Sequence, residues 1–446
     1  PDVAIQFVAT DSNSGSFARD GHPNRPSVPG GGGPMAEAET VAGLRRVDND
    51  EVRRQIGRLF LGALGLFLIN IGLGFLNVFT SEGLPRWQFL THLHAGSIGW
   101  ITFTLIGIAL WLFTGERTVS RTYERRVEWL VWAGILVFAG YIVSFAVAFS
   151  RGGPFFGLLP AVGTGAMLLI WAAAAFTVTQ IRQQAVVTTV HLLVTGGLVV
   201  AAIGATMGVL LGLERVVGWF LPIENPDRVG VHAGMMDAYI FIVASAVVEW
   251  FVRGADAGRW AWPGVAQATA GTLAAVLVPV AFLLAIVAEV LPLFGLLLLA
   301  FLAIFLVRVG WRGLLENPFG TEIEGWTFFG TGWLVVFVGL FLWLVIGLQG
   351  DFGAAPHWFA VVFTHAAYVG MMTNLLLGVV SAHTAGGRVG PSWGEPAARW
   401  LLNIGLFVFF GLEIATGSRH GALLMGIGVL LGVATMLHRL IGGQQT

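Results

Sequence analysis

Two histidines stand at the start of an apolar run, in Thr91-His92-Leu93-His94-Ala95-Gly96-Ser97-Ile98-Gly99-Trp100, and the run continues to Phe113. A neutral imidazole is tolerable at membrane depth only when its ring nitrogens are hydrogen-bonded or metal-bound, so this pair is the first candidate for chemistry. On a helix advancing about 100° per residue, His92 and His94 point roughly 200° apart and can serve two groups, one on each side. Gly96 and Gly99 add side-chain-free surface against which a backbone or a planar ring could lie.

The stretch recurs as Val231-His232-Ala233-Gly234-Met235-Met236-Asp237 and Thr364-His365-Ala366-Ala367-Tyr368-Val369-Gly370, with the histidines 138 and 133 residues apart. Repetition at such intervals indicates three related units. Asp237, five residues after His232, suits a proton relay or a partner for a ligating group. Arg86, Arg215 and Arg228 lie just outside the histidine layer, placed either to hold acidic side groups of a haem or simply as loop charges. The three repeated histidines also have a plainer reading, as polar helix-entrance residues bonded to loop carbonyls. His191 is a ligand or a hydrogen-bonded helix contact, and His357 could reach a cofactor edge. His383, His420 and His438 read as structural or solvated, and Glu249 and Glu413 as water-facing helix-end carboxylates.

The elements that must position these residues follow from composition. Apolar residues make up 56% of the chain and charged residues 11%, which excludes an ordinary soluble domain and predicts an all-α polytopic membrane protein. With no Cys, thiolate-held iron–sulfur clusters, covalent c-type haem, thiolate copper centres and disulfides are all excluded. Any redox group must be held by His, Met, Tyr or carboxylate. About twelve transmembrane helices are expected, in three pseudo-repeats of four. They lie at Ile56–Phe79, Phe89–Thr114, Val127–Phe149, Phe155–Gln180, Ala185–Leu213, Gly230–Val252, Gly264–Leu291, Pro292–Trp311, Trp326–Leu348, Trp358–His383, Ala398–Thr416 and Gly421–Leu440.

Residues 1–34 read as a disordered extension, 35–55 as a charged cytoplasmic segment, 56–440 as the membrane domain and 441–446 as a cytoplasmic tail. Every basic residue is Arg, and these arginines crowd the loops on one side. The positive-inside rule then places both termini in the cytoplasm of a cell bounded by a plasma membrane, and puts His94, His232 and His365 near the outer face.

With about twelve helices and histidines near the outer ends of the second, sixth and tenth, the chain resembles the core subunit of the haem–copper oxidase superfamily. That group includes the cbb3-type oxidases and nitric oxide reductases, and the NnrS-like haem proteins are similar in outline. His92 to Trp100 resembles the His-x-His…Gly-Trp helix of the cbb3 type, which in that family is the tenth helix and here is the second. The resemblance implies haem b with His94 and His365 as its two axial ligands, His232 in the place of a copper ligand, and Tyr239 where that family can carry a tyrosine. His92 would ligate a second haem if the second helix has taken over the tenth helix's task. Gly264 to Leu291 contains no His, and Phe363 stands where a high-spin haem ligand would come, which argues against an intact copper centre.

The expected function is therefore haem-based electron transfer, or the handling of nitric oxide or oxygen as a haem-dependent oxidoreductase. The expected partners are the lipid bilayer, an electron-donor protein or quinol and a small gas ligand, and no nucleic acid. The alternatives are a cofactor-free transporter or metal permease whose path the histidines line, and a structural or assembly subunit.

Overall fold

The computed structural model describes residues 50–80, 83–114, 120–184, 186–218, 225–253, 262–283, 287–348, 354–384 and 393–442; the side chains of 225–231, 237, 278, 281–283, 287–289, 291, 292, 322 and 345 lie outside that description. The expected extension 1–34 and most of the charged segment 35–55 fall outside the described residues, as does most of the tail.

Twelve long helices form among the described residues. They are α1 (Asp50–Phe79), α2 (Arg86–Thr114), α3 (Arg121–Arg151), α4 (Gly153–Ile181), α5 (Thr189–Val217), α6 (Asn225–Arg253), α7 (Trp262–Leu283), α8 (Val287–Phe305, continuing to Gly313), α9 (Glu322–Gly347), α10 (His357–Thr384), α11 (Gly394–Thr416) and α12 (Ala422–Gly442). Among the described residues, eleven spans are long and apolar enough to cross a membrane. The chain is thus an all-α polytopic membrane protein. Several boundaries differ from expectation, among them α3, which begins at Arg121 and not Val127, and α7, which ends at Leu283 and not Leu291. The α1 helix begins at Asp50 and carries the charged Arg53, Arg54 and Arg58 continuously into the apolar run, and α8 begins at Val287 rather than after Leu291.

The helices differ sharply in how much of their apolar surface other helices cover. Within the most apolar window of each, 89% of α2 and 88% of α6 is buried, followed by 67% of α5 and α10, against 33% of α3, α4 and α8. The three histidine-bearing helices are therefore central, and α3, α4 and α8 carry apolar surface outward, as lipid-facing helices do. α12 packs against both α11 and α1, closing the bundle.

Two central helices are not regular. α2 widens into a π-helix at Ala95–Thr102 and α10 does so at Ala366–Thr373, each beginning at the residue after a histidine. π turns are rare and concentrate at functional sites. Close packing accommodates both: a Cβ on Gly99 would stand 2.9 Å from Leu66 of α1, and one on Gly370 would stand 2.6 Å from Trp333 of α9. Beneath the second π turn a closed amide network joins α9, α10 and α11. Asn403 donates to Asn374 (2.9 Å), Asn374 donates to the Gly370 carbonyl (2.6 Å), and the Trp333 indole donates to Asn403 (2.6 Å). Interhelical bonds of this kind contribute about 0.6–2 kcal/mol each where lipid offers no competing partner.

Several charges expected in loops or facing water are instead inside the bundle. Arg308 lies in a short π turn of α8 (Leu306–Gly310) and donates to both oxygens of the buried Glu249 (2.7 and 3.1 Å), to Gln267 (2.6 Å) and to Thr189 (3.2 Å). Arg439 pairs with Glu395 at 3.0 Å, and Arg399 is buried against Trp326. Their neighbours supply the compensation that hydropathy alone does not register.

Candidate histidine centre

The histidines fall into two structural classes, each set by a different anchor. His94 and His365 share the first. Both helices have a proline at the N-cap position, Pro85 and Pro356, and both carry the histidine immediately before the π turn. His94 Nδ1 donates to the Leu90 carbonyl and His365 Nδ1 to the Val361 carbonyl, both at 2.8 Å and both four residues back on the same helix. Within each π turn a threonine hydroxyl donates five residues back at 2.9 Å, from Thr102 to the Ser97 carbonyl and from Thr373 to the Tyr368 carbonyl.

A legible signal for this match stands in the sequence. Pro85, Trp87, His94, Ala95, Gly99 and Thr102 correspond in type and spacing to Pro356, Trp358, His365, Ala366, Gly370 and Thr373.

His92 and His232 share the second anchor, which comes from the preceding helix. His92 Nδ1 donates to the Asn70 carbonyl of α1, and His232 Nδ1 to the Gly204 carbonyl of α5, both at 2.9 Å. Four residues beyond each acceptor lies a glycine over which the imidazole packs; a Cβ on Gly74 would stand 3.3 Å from His92, and one on Gly208 would stand 2.9 Å from His232. The α1–α2 hairpin thus matches α5–α6 through His92, although sequence register aligns His94 with His232.

These anchors determine the tautomer. A carbonyl only accepts, so in all four rings Nδ1 carries the proton and Nε2 keeps its lone pair. For His92 the Asn70 side-chain amide also approaches Nδ1 (3.2 Å), but its shorter bond goes to the His92 carbonyl (2.6 Å), and the carbonyl at 2.9 Å keeps Nδ1 a donor. All four rings are half-buried, and Nε2 of each has no hydrogen-bond partner among the described residues. Orientation of a ring by Nδ1–H to a carbonyl, with Nε2 presented, is the arrangement of an imidazole ligand.

The structure brings them together in pairs. The rings of His94 and His232 are 6.4 Å apart between centroids and inclined by 14°. The other ring neighbours of His94 are Phe145, stacked at 3.9 Å, and Tyr141, edge-on at 5.9 Å. His365 stands within electrostatic range of His92 and has Phe409 edge-on at 5.1 Å. The ring facing His94 is thus His232 of α6, whereas the resemblance paired His94 with His365. Among the described residues no group of three or more His, Asp or Glu side chains is placed to hold a metal ion.

The remaining candidates are distributed around this layer. Arg86 is exposed at the first position of α2, and Arg215 is exposed over the rings of Phe149 and Phe156, 5.3 Å from each. The side chains of Arg228 and Asp237 lie outside the described residues. Tyr239 is buried, and its hydroxyl meets Thr102 (2.9 Å) and the Ser97 carbonyl (3.3 Å), tying α6 to the π turn of α2. His191 is the third residue of α5, where its imidazole and the Thr188 side chain close a reciprocal cap. His357 is exposed, 3.9 Å from the buried Glu413, which does not face water as expected. His383 is buried against Phe60 and Trp111, while His420 and His438 are exposed.

The chain was compared with protein-family models and with curated proteins, and neither comparison yields a match.

Proposed function

We propose that this is an integral membrane haem protein that moves electrons, with haem b iron held between α2 and α10 by imidazoles that include His365 and, from its position, His92. The observation that carries this reading is the common anchoring of four imidazoles by Nδ1–H bonds to carbonyls, which leaves four Nε2 lone pairs in one layer of the bundle. Lone pairs in low-dielectric surroundings are costly without a partner, and iron supplies one. The pairing of the imidazoles also suits a macrocycle, which brings four nitrogen donors of its own and asks two from the protein.

Bound haem would supply reversible one-electron chemistry. The chain's own residues orient the rings, raise their basicity through the Nδ1–H bonds, and surround the site with apolar side chains that restrict water. Arg86, exposed at the start of α2, and the partly apolar seat of Arg215 offer cations at the same end of the bundle for a haem's carboxylates. On this reading the partners are the bilayer, an electron-donor protein or quinol, and nitric oxide or oxygen wherever a haem face is open. The arginine distribution favours cytoplasmic termini and a histidine layer toward the outside of the plasma membrane.

The test is an absorption spectrum of detergent-purified protein expressed with adequate haem, oxidised and dithionite-reduced, then with carbon monoxide or nitric oxide. A sharp reduced low-spin band, diminished in His365→Ala, is expected. A gas-induced shift identifies an open haem face and a gas substrate. Protein without any haem band overturns the reading in favour of a transporter.

A further inference from the structure

We infer that His94 and His232 form a second metal centre, separate from the α2–α10 site, in which one metal is held between two imidazoles on opposite sides. The inference deepens the haem reading and rests on it for the first site. Its metal is the iron of a second haem or a copper ion that accepts two imidazoles in line.

Four observations converge on it. The first is distance. Metal–nitrogen bonds of about 2.0–2.1 Å, with ring centres about 1.1 Å behind each Nε2, put two imidazoles trans on one metal about 6.3 Å apart. The same ligands at a tetrahedral angle would be about 5 Å apart. The observed 6.4 Å matches the trans arrangement. Phe145, by contrast, stacks on the same His94 ring at 3.9 Å.

The second is protonation. Both rings donate from Nδ1 to carbonyls, Leu90 for His94 and Gly204 for His232. Each Nε2 is then an acceptor, and two acceptors cannot bond to each other. A metal, as an electron-pair acceptor, satisfies both at once.

The third is rigidity. His94 is clamped by Phe145 and Tyr141, and His232 lies over Gly208 with room for no side chain there. Neither ring has to be reorganised to ligate, which favours binding.

The fourth is internal symmetry. The pair joins one ring anchored on its own helix before a π turn (His94) with one anchored on the preceding helix (His232). His365 and His92 are likewise one of each class. Because His92 and His94 point to opposite sides of α2, that helix can contribute one ring to each pair.

The experiment measures haem and copper per chain in the full-length protein purified in detergent, for wild type and for His94→Ala, His232→Ala, His92→Ala and His365→Ala. The expected result is two metals per chain. His94→Ala and His232→Ala each halve the content by removing the same centre, and His92→Ala and His365→Ala remove the other. Pyridine haemochrome against copper analysis separates the two metals: two haems, or one haem with one copper that His232→Ala removes, both support the centre. His232→Gly with added imidazole restores the lost half if the variant is folded, and size-exclusion profiles check that it is. One haem per chain with no copper, unchanged by His232→Ala, overturns the second centre and leaves the first site standing. No metal in the wild type overturns the haem reading as well.

Discussion

Asn70 holds His92 at two points: its backbone carbonyl accepts from Nδ1 at 2.9 Å, and its side-chain amide donates to the His92 carbonyl at 2.6 Å. One residue of α1 thereby fixes both the rotation of the ring and the backbone that carries it. Asn70→Leu keeps the first bond and deletes the second, while the Ala95 N–H still reaches the His92 carbonyl, so the cost is that of one hydrogen bond, about 0.5–1.5 kcal/mol. The expected outcome is a lower melting temperature and a loosened His92, which on the proposed haem reading also reduces haem retention on dilution. Gly96→Ala should reproduce it, because a Cβ there would stand 2.8 Å from the Asn70 amide.

The glycines beneath the imidazoles predict a graded response. A Cβ on Gly208 would be 2.9 Å from the His232 ring and one on Gly74 3.3 Å from His92, whereas one on Gly72 meets nothing within 4 Å. Gly208→Ala should destabilise by about 1–3 kcal/mol through overpacking. Gly74→Ala should have a smaller effect, and Gly72→Ala should stabilise slightly, by at most about 1 kcal/mol from helix propensity. Thermal unfolding of the three variants checks the order.

The Arg308–Glu249 pair is buried on both sides, with side-chain exposures of 10% and 2%. Removing one partner strands the other, so Glu249→Ala and Arg308→Ala should each cost about 3–5 kcal/mol, while replacing both with apolar residues of similar size should cost much less. Stability of the singles and the double, measured in one detergent, gives the sign of the coupling. Equal losses in all three would sink the prediction.

Glu316, in the loop after α8, has its carboxyl pushed above the ordinary 4.5 by partial burial and then by the neighbouring Glu324 charge. The folded form holds this proton more tightly than the unfolded chain does. Its contribution is therefore fully present below pH 4.5 and is lost as pH rises through the raised value. Glu316→Gln should remove that loss, so the variant gains melting temperature over the parent at neutral pH and not in acid. A pH-independent difference would contradict it.

Much of the architecture was legible because it depends on local sums. Long apolar runs demand helices that satisfy their own backbone in lipid, and twelve of them could be placed in order, with several ends off by a turn or more. The exceptions were instructive. In α1, Val52 and Gln55, ahead of the apolar run, are fully buried, which no property of those residues announces. Arg308, Arg399 and Arg439 read as loop charges, yet each is paired or packed inside the bundle, where a partner far along the chain offsets the burial.

For the candidate centre the division is sharper. By itself the sequence determined that this is a helical membrane protein without thiols, with imidazoles at one level on every fourth helix and two of them on opposite sides of α2. Those properties follow from residue types and from a fixed rotation per residue. Only the tertiary structure decided that His94 faces His232, that Asn70 and Gly204 hold the rings of His92 and His232, and that both α2 and α10 widen into π turns directly after a histidine. A ring's partner depends on how each helix is turned about its axis and which backbone lies beneath it. Packing between helices distant in sequence sets both, and no local pattern encodes them.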